Sequence, residues 1–398
     1  MNVKIEKSTA NGRVKAIPSK SYAHRIAICN FLAGNQPSGC SGDFTSKDIA
    51  VTEKCLCDLK CGKTVLDAGE SGSTLRFLLP LTASLGGNYE FVGHGKLMDR
   101  PNDELFAVLS SHGVVVKKEN GRIYLNGKLT NGEYRLRGDI SSQYVSGLLM
   151  ALPTLDGDSE IVLTTSLSSA PYVDITIQVL ASFGVEVLRT ANGFKIKGNQ
   201  KYSGESLPEG DWSNSAFMLV YGATCGSVTV TGLSVDSVQG DKAILKALEL
   251  AGANVSVSDR EITVSKGGLN AFNFDGEDCP DLVPIIACLA GVCEGETIIN
   301  NVKRLRIKES DRIDATIKLL ASFGIKATSD GNTLTVYGGK VKSGKVDSFN
   351  DHRVVMSASV LASLAEGQSV IENAQAVQKS YPTFFDDFNS VGGKTCEI

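Results

Sequence analysis

The stretch LASFGV at residues 180–185 returns as LASFGI at residues 320–325, and this echo decides the fold. Weaker copies of the same frame are LSSHGV at 109–114 and LELAGA at 248–253. The glycines of the four copies lie roughly 70 residues apart, a longer spacing than the ~20–50 residues of common solenoid repeats. A stretch that recurs in this way indicates one supersecondary unit used several times.

The residues around the glycine predict a helix followed by a hairpin. Ile313, Ile317 and Leu320 recur at i, i+4 and i+7, which places them on one face of a helix. Glycine then ends the helix, because it adopts the left-handed cap conformation without strain. Alternating apolar residues follow, interrupted by Asn192-Gly193 in one copy and Asp330-Gly331 in another, and such dipeptides mark hairpin turns.

A second helix lies between the hairpins, and each copy of it begins with polar residues. The starts are Pro18-Ser19-Lys20-Ser21, Glu70-Ser71-Gly72-Ser73, Asp139-Ile140-Ser141-Ser142-Gln143, Asp211-Trp212-Ser213-Asn214, Cys279-Pro280-Asp281 and Asn350-Asp351-His352-Arg353. We count six units of the form helix–strand–strand–helix–strand, the first of them degenerate around residues 49–66. Ser, Asp and Asn at such positions are ordinary helix caps.

The helix starts also carry cations, which capping does not require. Lys20, Arg25, Arg76 and Arg353 lie on or next to them, and a cation at the positive end of a helix is unfavourable by roughly 0.3–1 kcal/mol. An anionic ligand offsets that cost. Because equivalent helix ends of repeated units point toward a common region, the pattern predicts one anion-binding cleft.

The composition is that of an ordinary globular protein, and it argues against several classes. The 398 residues are 42% hydrophobic and 21% charged, and the length favours two domains. A net charge of −4 argues against a nucleic-acid-binding surface. No apolar run reaches the ~18–20 residues of a membrane span, and the opening MNVKIEKSTA lacks the apolar core of a signal peptide.

The cysteines indicate free thiols, and we predict no metal site. Cys29, Cys225 and Cys288 lie within apolar stretches, as buried thiols do. Residues 55–61 read C-x-C-x3-C, which is not a familiar zinc spacing. With no secretory segment, such thiols favour a reducing, cytoplasmic location. The sequence also has neither a P-loop nor a G-x-S-x-G nucleophile elbow.

The first two helix starts have the side chains that an anion requires. Lys20, Ser21 and Arg25 offer an ammonium, a hydroxyl and a guanidinium, although a solvated basic turn has the same pattern. Gly72 allows a ligand oxygen to approach the backbone closely, and Arg76 follows one turn later.

Further candidates stand at or near later helix starts. Arg100 either faces a ligand or pairs with Asp103. Uncharged donors that suit sugar-like hydroxyls or phosphate oxygens follow, namely Ser141, Ser142, Gln143, Ser169 and Tyr172.

The densest charge cluster is RLRIKESDR at 304–312, which contains six charged residues. It is either a solvated face with i, i+4 pairs or part of the cleft. Asp281 is a candidate general base in a cation-lined cleft, and it is equally suited to be a helix N-cap. Asp351 and Arg353 open the sixth start, and Lys379 stands near the C-terminus.

Taken together, these segments resemble the 5-enolpyruvylshikimate-3-phosphate synthase family. The matching segments are PSKSYAHR, ESGSTLR, MDRP, SSQ, SAPY, EGD, QGD, CPD, RLRIKESDR, NDHR and KSYP, in the family's order. The resemblance implies an α/β fold of two similar domains, each of three βαβαββ units, with helix N-termini directed at an interdomain cleft. The domains would be 17–209, and 1–16 together with 210–398.

The resemblance also implies a reaction and a set of site residues. The enolpyruvyl group of phosphoenolpyruvate would pass to the 5-hydroxyl of shikimate 3-phosphate, with release of phosphate. Shikimate 3-phosphate would be held by Lys20, Ser21, Arg25, Ser141, Ser142, Gln143, Ser169, Tyr172, Asp281 and Lys308. Phosphoenolpyruvate would be held by Lys20, Gly72, Arg100, Gln143, Arg312, Arg353 and Lys379. Arg76 and Asp351 would support these residues.

Three residues would carry the chemistry in that case. Asp281 would take the proton from the attacking hydroxyl, and Glu309, with Lys20 as a further candidate, would exchange the proton at the phosphoenolpyruvate methylene. The resemblance implies no metal and no organic cofactor, and it implies a monomer that works on small molecules, with no nucleic acid or membrane as partner.

The chain departs from part of the family at two positions. Glu70 and Arg304 stand where members have Asn, which puts the fine contacts there in doubt. The nearest rival is the sister transferase acting on UDP-N-acetylglucosamine, which has a Lys-Asn pair and a cysteine shortly before its counterpart of Arg100. This chain has Lys20-Ser21 and no such cysteine. A second rival, an anion-binding regulatory repeat protein, would not need the carboxylates of Asp281 and Glu309.

Overall fold

The computed structural model describes residues 1–40 and 45–398, and these form two compact units. Unit A is Lys20–Pro208, and unit B combines Met1–Ser19 with Glu209–Ile398. The chain therefore leaves unit B after Ser19 and returns to it at Glu209. The sequence-based boundaries of the first domain, residues 17 and 209, stay a prediction.

The chain begins in unit B with β1 (Val3–Ile5) and β2 (Ala10–Lys15), then continues through unit A. The elements of unit A are α1 (Lys20–Leu32), α2 (Lys47–Lys60), β3 (Val65–Asp67), α3 (Gly72–Leu85), β4 (Gly87–Val92), α4 (Asp103–Ser110), β5 (Val114–Glu119), β6 (Arg122–Gly127), β7 (Glu133–Leu136), α5 (Ser142–Ala151), β8 (Ser159–Leu163), α6 (Ala170–Ser182), β9 (Val187–Thr190) and β10 (Gly193–Ile196).

The remaining elements belong to unit B. They are α7 (Trp212–Cys225), β11 (Gly226–Thr231), α8 (Ile244–Ala251), β12 (Asn254–Ser258), β13 (Glu261–Ser265), β14 (Asn273–Asp275), α9 (Val283–Ala290), β15 (Glu296–Asn300), α10 (Arg312–Ser322), β16 (Lys326–Ser329), β17 (Leu334–Tyr337), β18 (Lys345–Asp347), α11 (His352–Ala362), β19 (Ser369–Glu372), α12 (Phe384–Ser390) and β20 (Thr395–Glu397).

The described strands form five four-stranded sheets with one shared topology. In the sheet β3-β4-β6-β5, the first pair is parallel and the other two pairs are antiparallel. The sheets β7-β8-β10-β9, β2-β11-β13-β12 and β14-β15-β17-β16 have the same order. Each of these four sheets with its helices has the strand and helix order βαβαββ, which confirms the predicted mixed α/β class.

The fifth sheet joins the two ends of the chain. Its order is β18-β19-β1-β20, so the first strand of the chain fills the inner position that a hairpin strand fills elsewhere. Val3 pairs with Ile371 on one side and with Glu397 on the other. The last repeat of unit B is therefore completed only when the N-terminal strand has docked.

The predicted first repeat differs from the others in the structure. Its helices are α1 and α2, and the described residues between 20 and 60 form no strand. Residues 41–44 lie outside the described part of the chain. The degeneracy predicted around residues 49–66 corresponds to α2 followed by β3, which opens the next repeat.

The two helices of each full repeat differ in burial. Those with the polar starts are buried on nearly all faces, as in α7, where Trp212 through Thr224 are all buried. Those that carry the LASFG-type frame are buried on one face, as in α6 through Val173, Val179 and Leu180. An apolar residue on every face of a helix is stable only in a core, so the sequence places the polar-start helices inside each unit.

The glycines of the LASFG-type frame end the helices that carry this frame, as predicted. Gly113, Gly184, Gly252 and Gly324 have φ of +89°, +74°, +86° and +76°, in the left-handed region. No helix in the described residues is long and apolar enough to cross a membrane.

Replacing Gly324 tests the role of this frame. In Gly324→Ala, a Cβ forced into the left-handed region should lower the free energy of unfolding of unit B by about 1–2 kcal/mol. Gly268→Ala is the matched control, because nothing lies within 4 Å of the added Cβ and the backbone is not left-handed. Urea unfolding should show a change within about 0.5 kcal/mol for the control. Equal effects of the two substitutions would contradict this account.

Candidate active site

A buried guanidinium organises the site residues of unit B. Arg312 is 1% exposed at the start of α10. Its Nε donates to Asp351 Oδ2 at 2.8 Å, one Nη to Asp281 Oδ1 at 2.6 Å and the other Nη to Glu309 Oε2 at 2.7 Å. Burial lowers the pKa of Arg312, but these three carboxylates raise it more, so the pKa stands well above its usual value.

Asp351 is the fully buried member of this carboxylate group. It caps α11 by accepting from the backbone N–H of Arg353 at 2.9 Å, and its other oxygen accepts from the Ser310 hydroxyl at 3.0 Å. One side chain thus serves both the helix terminus and the guanidinium of Arg312. A buried carboxylate is stable only with such a set of partners.

Asp281 is not the helix cap that the sequence equally allowed. It lies in the 3₁₀ turn Pro280–Leu282 ahead of α9, whose own N-cap position is Leu282. Its carboxylate accepts from Arg312 at 2.6 Å, from Lys308 Nζ at 3.4 Å and from an Nη of Arg353 at 3.5 Å. The turn therefore directs this carboxylate at cations.

The charged cluster at 304–312 divides into two parts. Arg306 pairs with Asp311 at 2.8 Å, and both side chains are substantially exposed, so this pair is a solvated face. Lys308 instead turns toward Asp281. Burial, followed by the effect of Arg312, lowers the pKa of Lys308 even though Asp281 opposes this shift.

Arg353 and Lys379 extend the site. One Nη of Arg353 donates to the Ser213 carbonyl at 3.0 Å, and its guanidinium lies 5.6 Å from the Phe217 ring centroid. Lys379 Nζ donates to the Asn350 carbonyl at 2.7 Å. Asn350 adopts φ of +55° directly before Asp351, a left-handed conformation that asparagine tolerates better than most other residues.

Asp241 is a further buried carboxyl of unit B. It is 4% exposed, and burial, followed by the negative charge of Asp281, raises its pKa above the usual range of an aspartate. Two carboxyls that interact in this way resist carrying a full negative charge at the same time.

In unit A, Arg25 is held from within the unit. It is 2% exposed, and four of its N–H groups donate to Thr176, Ser146 and the carbonyls of Ser21 and Tyr172. Within the described residues, one N–H on Nη1 is left for a ligand. Burial lowers the pKa of Arg25 to about 10.

Arg76 connects two predicted elements of the site. It donates to Gln143 Oε1 at 2.8 Å, to Asn102 Oδ1 at 2.9 Å and to the Pro101 carbonyl at 3.0 Å. The amide nitrogen of Gln143 donates in turn to the Ser73 hydroxyl at 2.9 Å. The start of α3, the start of α5 and the turn after Arg100 are thereby held together.

Gly72 brings the backbone of α3 against a guanidinium. A Cβ at this position would lie 2.6 Å from one Nη of Arg100 and 3.0 Å from its Cζ. The lack of a side chain at Gly72 therefore gives room to the Arg100 guanidinium, and the approach of a ligand oxygen to this backbone stays a prediction. The positive end of α3 and the guanidinium then converge on one point, which suits an anion.

The other predicted residues of unit A stand at three helix starts. Lys20 begins α1 and pairs with Asp48 at 2.8 Å. Ser141 caps α5 by accepting from the Gln143 N–H, and Ser142 begins that helix. Ser169 precedes α6 with φ of +54°, and Tyr172 follows in its first turn.

Sequence reasoning missed several residues that the structure brings to the site. They are Asp48, Asn102, Ser213 and Asp241. Asn102 directly follows the MDRP segment and Asp241 ends the QGD segment, so their positions offered a signal. Asp48 offered none, because only the packing of α2 against α1 brings it to Lys20.

The arrangement as a whole suits an anionic substrate and proton transfer. Each unit gathers guanidinium and ammonium groups at helix starts, and unit B adds Asp281 and Glu309 as partly exposed carboxylates beside them. Cations of this kind stabilise developing negative charge, and a positioned carboxylate moves protons.

Removing Asp351 should destabilise unit B strongly. Asp351→Ala leaves the Arg312 guanidinium buried with one partner fewer and removes the cap of α11, which we expect to cost about 3–5 kcal/mol. Asp314→Ala, which removes an exposed pair with Lys318 and an acidic residue from the first turn of α10, is the control and should cost about 0–1 kcal/mol. Chemical denaturation measures both, and similar losses in the two variants would refute the central role of Asp351.

Comparison with known proteins bears on the family of this chain. The model of the family described as EPSP synthase (3-phosphoshikimate 1-carboxyvinyltransferase) matches residues 58–388. The 3-phosphoshikimate 1-carboxyvinyltransferase of Clostridium kluyveri is 41% identical over 419 residues, covering 99% of this chain and 98% of that protein. The one from Clostridioides difficile is 34% identical over 433 residues and covers 100% and 98%.

Solved structures agree at the level of the fold. EPSP synthase from Acinetobacter baumannii superposes with a TM-score of 0.80 at 21% identity over 100% of both chains. The enolpyruvyl transferase NikO from Streptomyces tendae gives 0.78 at 15% identity, covering 99% of this chain and 98% of that chain. The extent and identity of the sequence matches confirm the resemblance found in the motifs: the chain belongs to the EPSP synthase (3-phosphoshikimate 1-carboxyvinyltransferase) family.

Proposed function

We propose specific roles for the site residues in the reaction that this enzyme catalyses. That reaction transfers the enolpyruvyl group of phosphoenolpyruvate to the 5-hydroxyl of shikimate 3-phosphate and releases phosphate. The observation that carries the proposal is the position of Asp281, whose carboxylate accepts from Lys308, Arg312 and Arg353. A base placed among cations stands where anionic substrates bind.

Phosphoenolpyruvate is assigned to the helix starts at which cationic side chains gather. In unit A these are Lys20 and Arg100 with Gly72 and Gln143, and in unit B they are Arg312, Arg353 and Lys379. The glycine at position 72 supports this assignment, because it brings backbone N–H groups and the Arg100 guanidinium to one point. A phosphate or carboxylate oxygen is the ligand that such a point suits.

Shikimate 3-phosphate is assigned to the hydroxyl-rich starts. Its contacts are Lys20, Ser21, Arg25, Ser141, Ser142, Gln143, Ser169 and Tyr172 in unit A and Asp281 and Lys308 in unit B. The buried Arg25 supports this assignment through its remaining Nη1 N–H and by holding the backbone at Ser21 and Tyr172.

The proposed chemistry needs two proton transfers. Asp281 takes the proton of the 5-hydroxyl as its oxygen bonds to the central carbon of phosphoenolpyruvate. Glu309, or Lys20, supplies a proton to the methylene carbon and removes one when phosphate leaves, which restores the double bond. The phosphate carries away the bonding electrons, and nearby cations stabilise its charge.

Arg312 links the proposed base to the proposed phosphoenolpyruvate site. It donates to Asp281 at 2.6 Å and is itself assigned to phosphoenolpyruvate. The position of the base and the binding of that substrate are therefore connected through one guanidinium.

The decisive assay measures phosphate release from phosphoenolpyruvate and its dependence on shikimate 3-phosphate. Asp281→Asn keeps the shape and one acceptor oxygen but cannot take a proton, so kcat should fall about 10²–10⁴-fold. The KM of shikimate 3-phosphate should change far less. Asp314→Asn, at an exposed position of the same unit, is the control and should match the parent. A normal kcat for Asp281→Asn would rule out Asp281 as the general base.

A second substitution tests the phosphoenolpyruvate assignment. In Gly72→Ala the new Cβ meets the Arg100 guanidinium at 2.6 Å, so the guanidinium must move. The KM of phosphoenolpyruvate should rise about tenfold, while that of shikimate 3-phosphate stays within about twofold. Gly268→Ala serves again as the control. Parallel changes in both KM values would show a general distortion and would contradict the assignment.

The oligomeric state and the location belong to the proposal as well. We propose a monomer and a cytoplasmic enzyme. The free state of all ten cysteines supports the second of these, because disulfides are rare in a reducing compartment.

A further inference from the structure

A chain of buried polar side chains connects three helices of unit A. His24 Nδ1 of α1 lies 2.8 Å from the Thr52 hydroxyl of α2, which lies 2.6 Å from the Thr74 hydroxyl of α3. Thr74 Oγ1 donates to Ser71 Oγ at 2.8 Å. All four residues are at most 1% exposed, so water does not serve as their partner from outside.

The direction of these hydrogen bonds follows from the number of hydroxyl protons. A threonine hydroxyl has one proton to donate, and that of Thr74 goes to Ser71. The 2.6 Å contact between Thr52 and Thr74 needs a proton, so Thr52 donates it. The Asp48 carbonyl, 3.3 Å from the Thr52 hydroxyl, is a longer and weaker second acceptor for the same proton. Thr52 then has none left for the imidazole, and it accepts from His24. The Nδ1 of His24 therefore carries a hydrogen, and every bond runs from His24 toward Ser71.

His24 is neutral, and one of its ring nitrogens lacks a hydrogen-bond partner in the described part of the chain. Burial, then Lys20 and Arg25, lower the pKa of His24 well below its usual value. The neutral form with Nδ1–H has its lone pair on Nε2, which has no hydrogen-bond partner among residues 1–40 and 45–398. An apolar side chain would avoid this cost, so what the position requires is the donor.

Both ends of this series of hydrogen bonds lie next to residues assigned to substrates. His24 lies one helical turn after Lys20, and the Thr52 hydroxyl is 3.3 Å from the carbonyl of Asp48, whose carboxylate pairs with Lys20. At the other end, Ser71 caps α3 by accepting from the Thr74 N–H at 3.2 Å. Ser71 directly precedes Gly72, against which Arg100 lies.

We propose that His24, Thr52 and Thr74 are positioning residues, whose one-way hydrogen bonds hold the N-terminus of α3 in the geometry that binds phosphoenolpyruvate. The inference rests on the assignment of Gly72 and Arg100 to that substrate. Within this scheme Ser71 accepts twice, from the N–H and the hydroxyl of Thr74, so its rotamer is determined by its neighbours. Loss of any donor in the chain frees that rotamer and loosens the cap.

The test compares two hydroxyl-deleting variants on one helix. Thr74→Val breaks the chain and should raise the KM of phosphoenolpyruvate about tenfold, with the KM of shikimate 3-phosphate within about twofold. Thr74→Ser keeps the hydroxyl and should restore the parent value. Thr82→Val is the matched control, because Thr82 is equally buried in α3 and its hydroxyl donates only along its own helix, to the Leu78 and Leu79 carbonyls.

The outcomes separate this inference from the assignment on which it rests. If Gly72→Ala raises the KM of phosphoenolpyruvate and Thr74→Val does not, the positioning role is wrong and the assignment stands. If Gly72→Ala leaves that KM unchanged, the assignment fails and the positioning role fails with it. Equal changes in both KM values for Thr74→Val, or an equal effect of Thr82→Val, would show that these hydrogen bonds contribute only to the general stability of unit A.

A second measurement on the unaltered enzyme does not depend on how a variant folds. Long-range ¹H–¹⁵N spectra distinguish the two neutral imidazole tautomers, and the signals lost in His24→Asn identify His24 among the four histidines. We expect hydrogen on Nδ1 and a bare Nε2. Hydrogen on Nε2 alone would reverse the chain and overturn the proposal. His24→Asn, whose amide N–H can replace Nδ1–H, should keep the KM of phosphoenolpyruvate, whereas His24→Leu should raise it.

Discussion

The capping of buried helix starts is the constraint on which the rest of this structure depends. Helices such as α3, α5, α7 and α11 are apolar on nearly every face and lie inside their units. Their N-terminal N–H groups still need partners, and Ser71, Ser141, Asp211 and Asp351 supply them. The polar residues of the chain are therefore concentrated at one end of the most buried helices. The proposed binding of anions uses the same end, because the helix dipole favours negative charge there.

In unit B one guanidinium connects a helix cap to the two carboxylates that are proposed to move protons. Arg312 touches the cap Asp351, the proposed base Asp281 and the proposed proton donor Glu309 at once. Because it is nearly fully buried, it holds the relative positions of the three carboxylates far better than an exposed lysine would. In unit A the same task is divided between Arg25, which ties α1 to α6, and Arg76, which ties α3 to α5 through Gln143. Each of these arginines is therefore both a structural tie and a member of the proposed site.

Local chemistry explains which parts of the fold could be predicted. The left-handed glycines such as Gly184 and Gly324, and the caps at Ser71 and Asp351, are decided by a few consecutive residues, and the structure has them where the sequence predicts them. Asp281 shows the limit. A carboxylate after proline is consistent with a cap, and only the position of Arg312 and Lys308, far along the chain, makes it an acceptor for cations. Asp48 and Ser213 escaped prediction for the same reason, since their partners Lys20 and Arg353 are distant in sequence.

The sequence by itself determined the repeat, the polar helix starts, the types of charged group and, through its motifs, the family and its reaction. These follow from short-range rules: helix periodicity, capping and the conformational freedom of glycine. Tertiary structure alone decided which charges meet, that β1 completes the last sheet between β19 and β20, and that His24, Thr52, Thr74 and Ser71 form one series of hydrogen bonds reaching the start of α3. Such contacts depend on the packing of elements that are remote in the chain, and no local pattern encodes the distance between them.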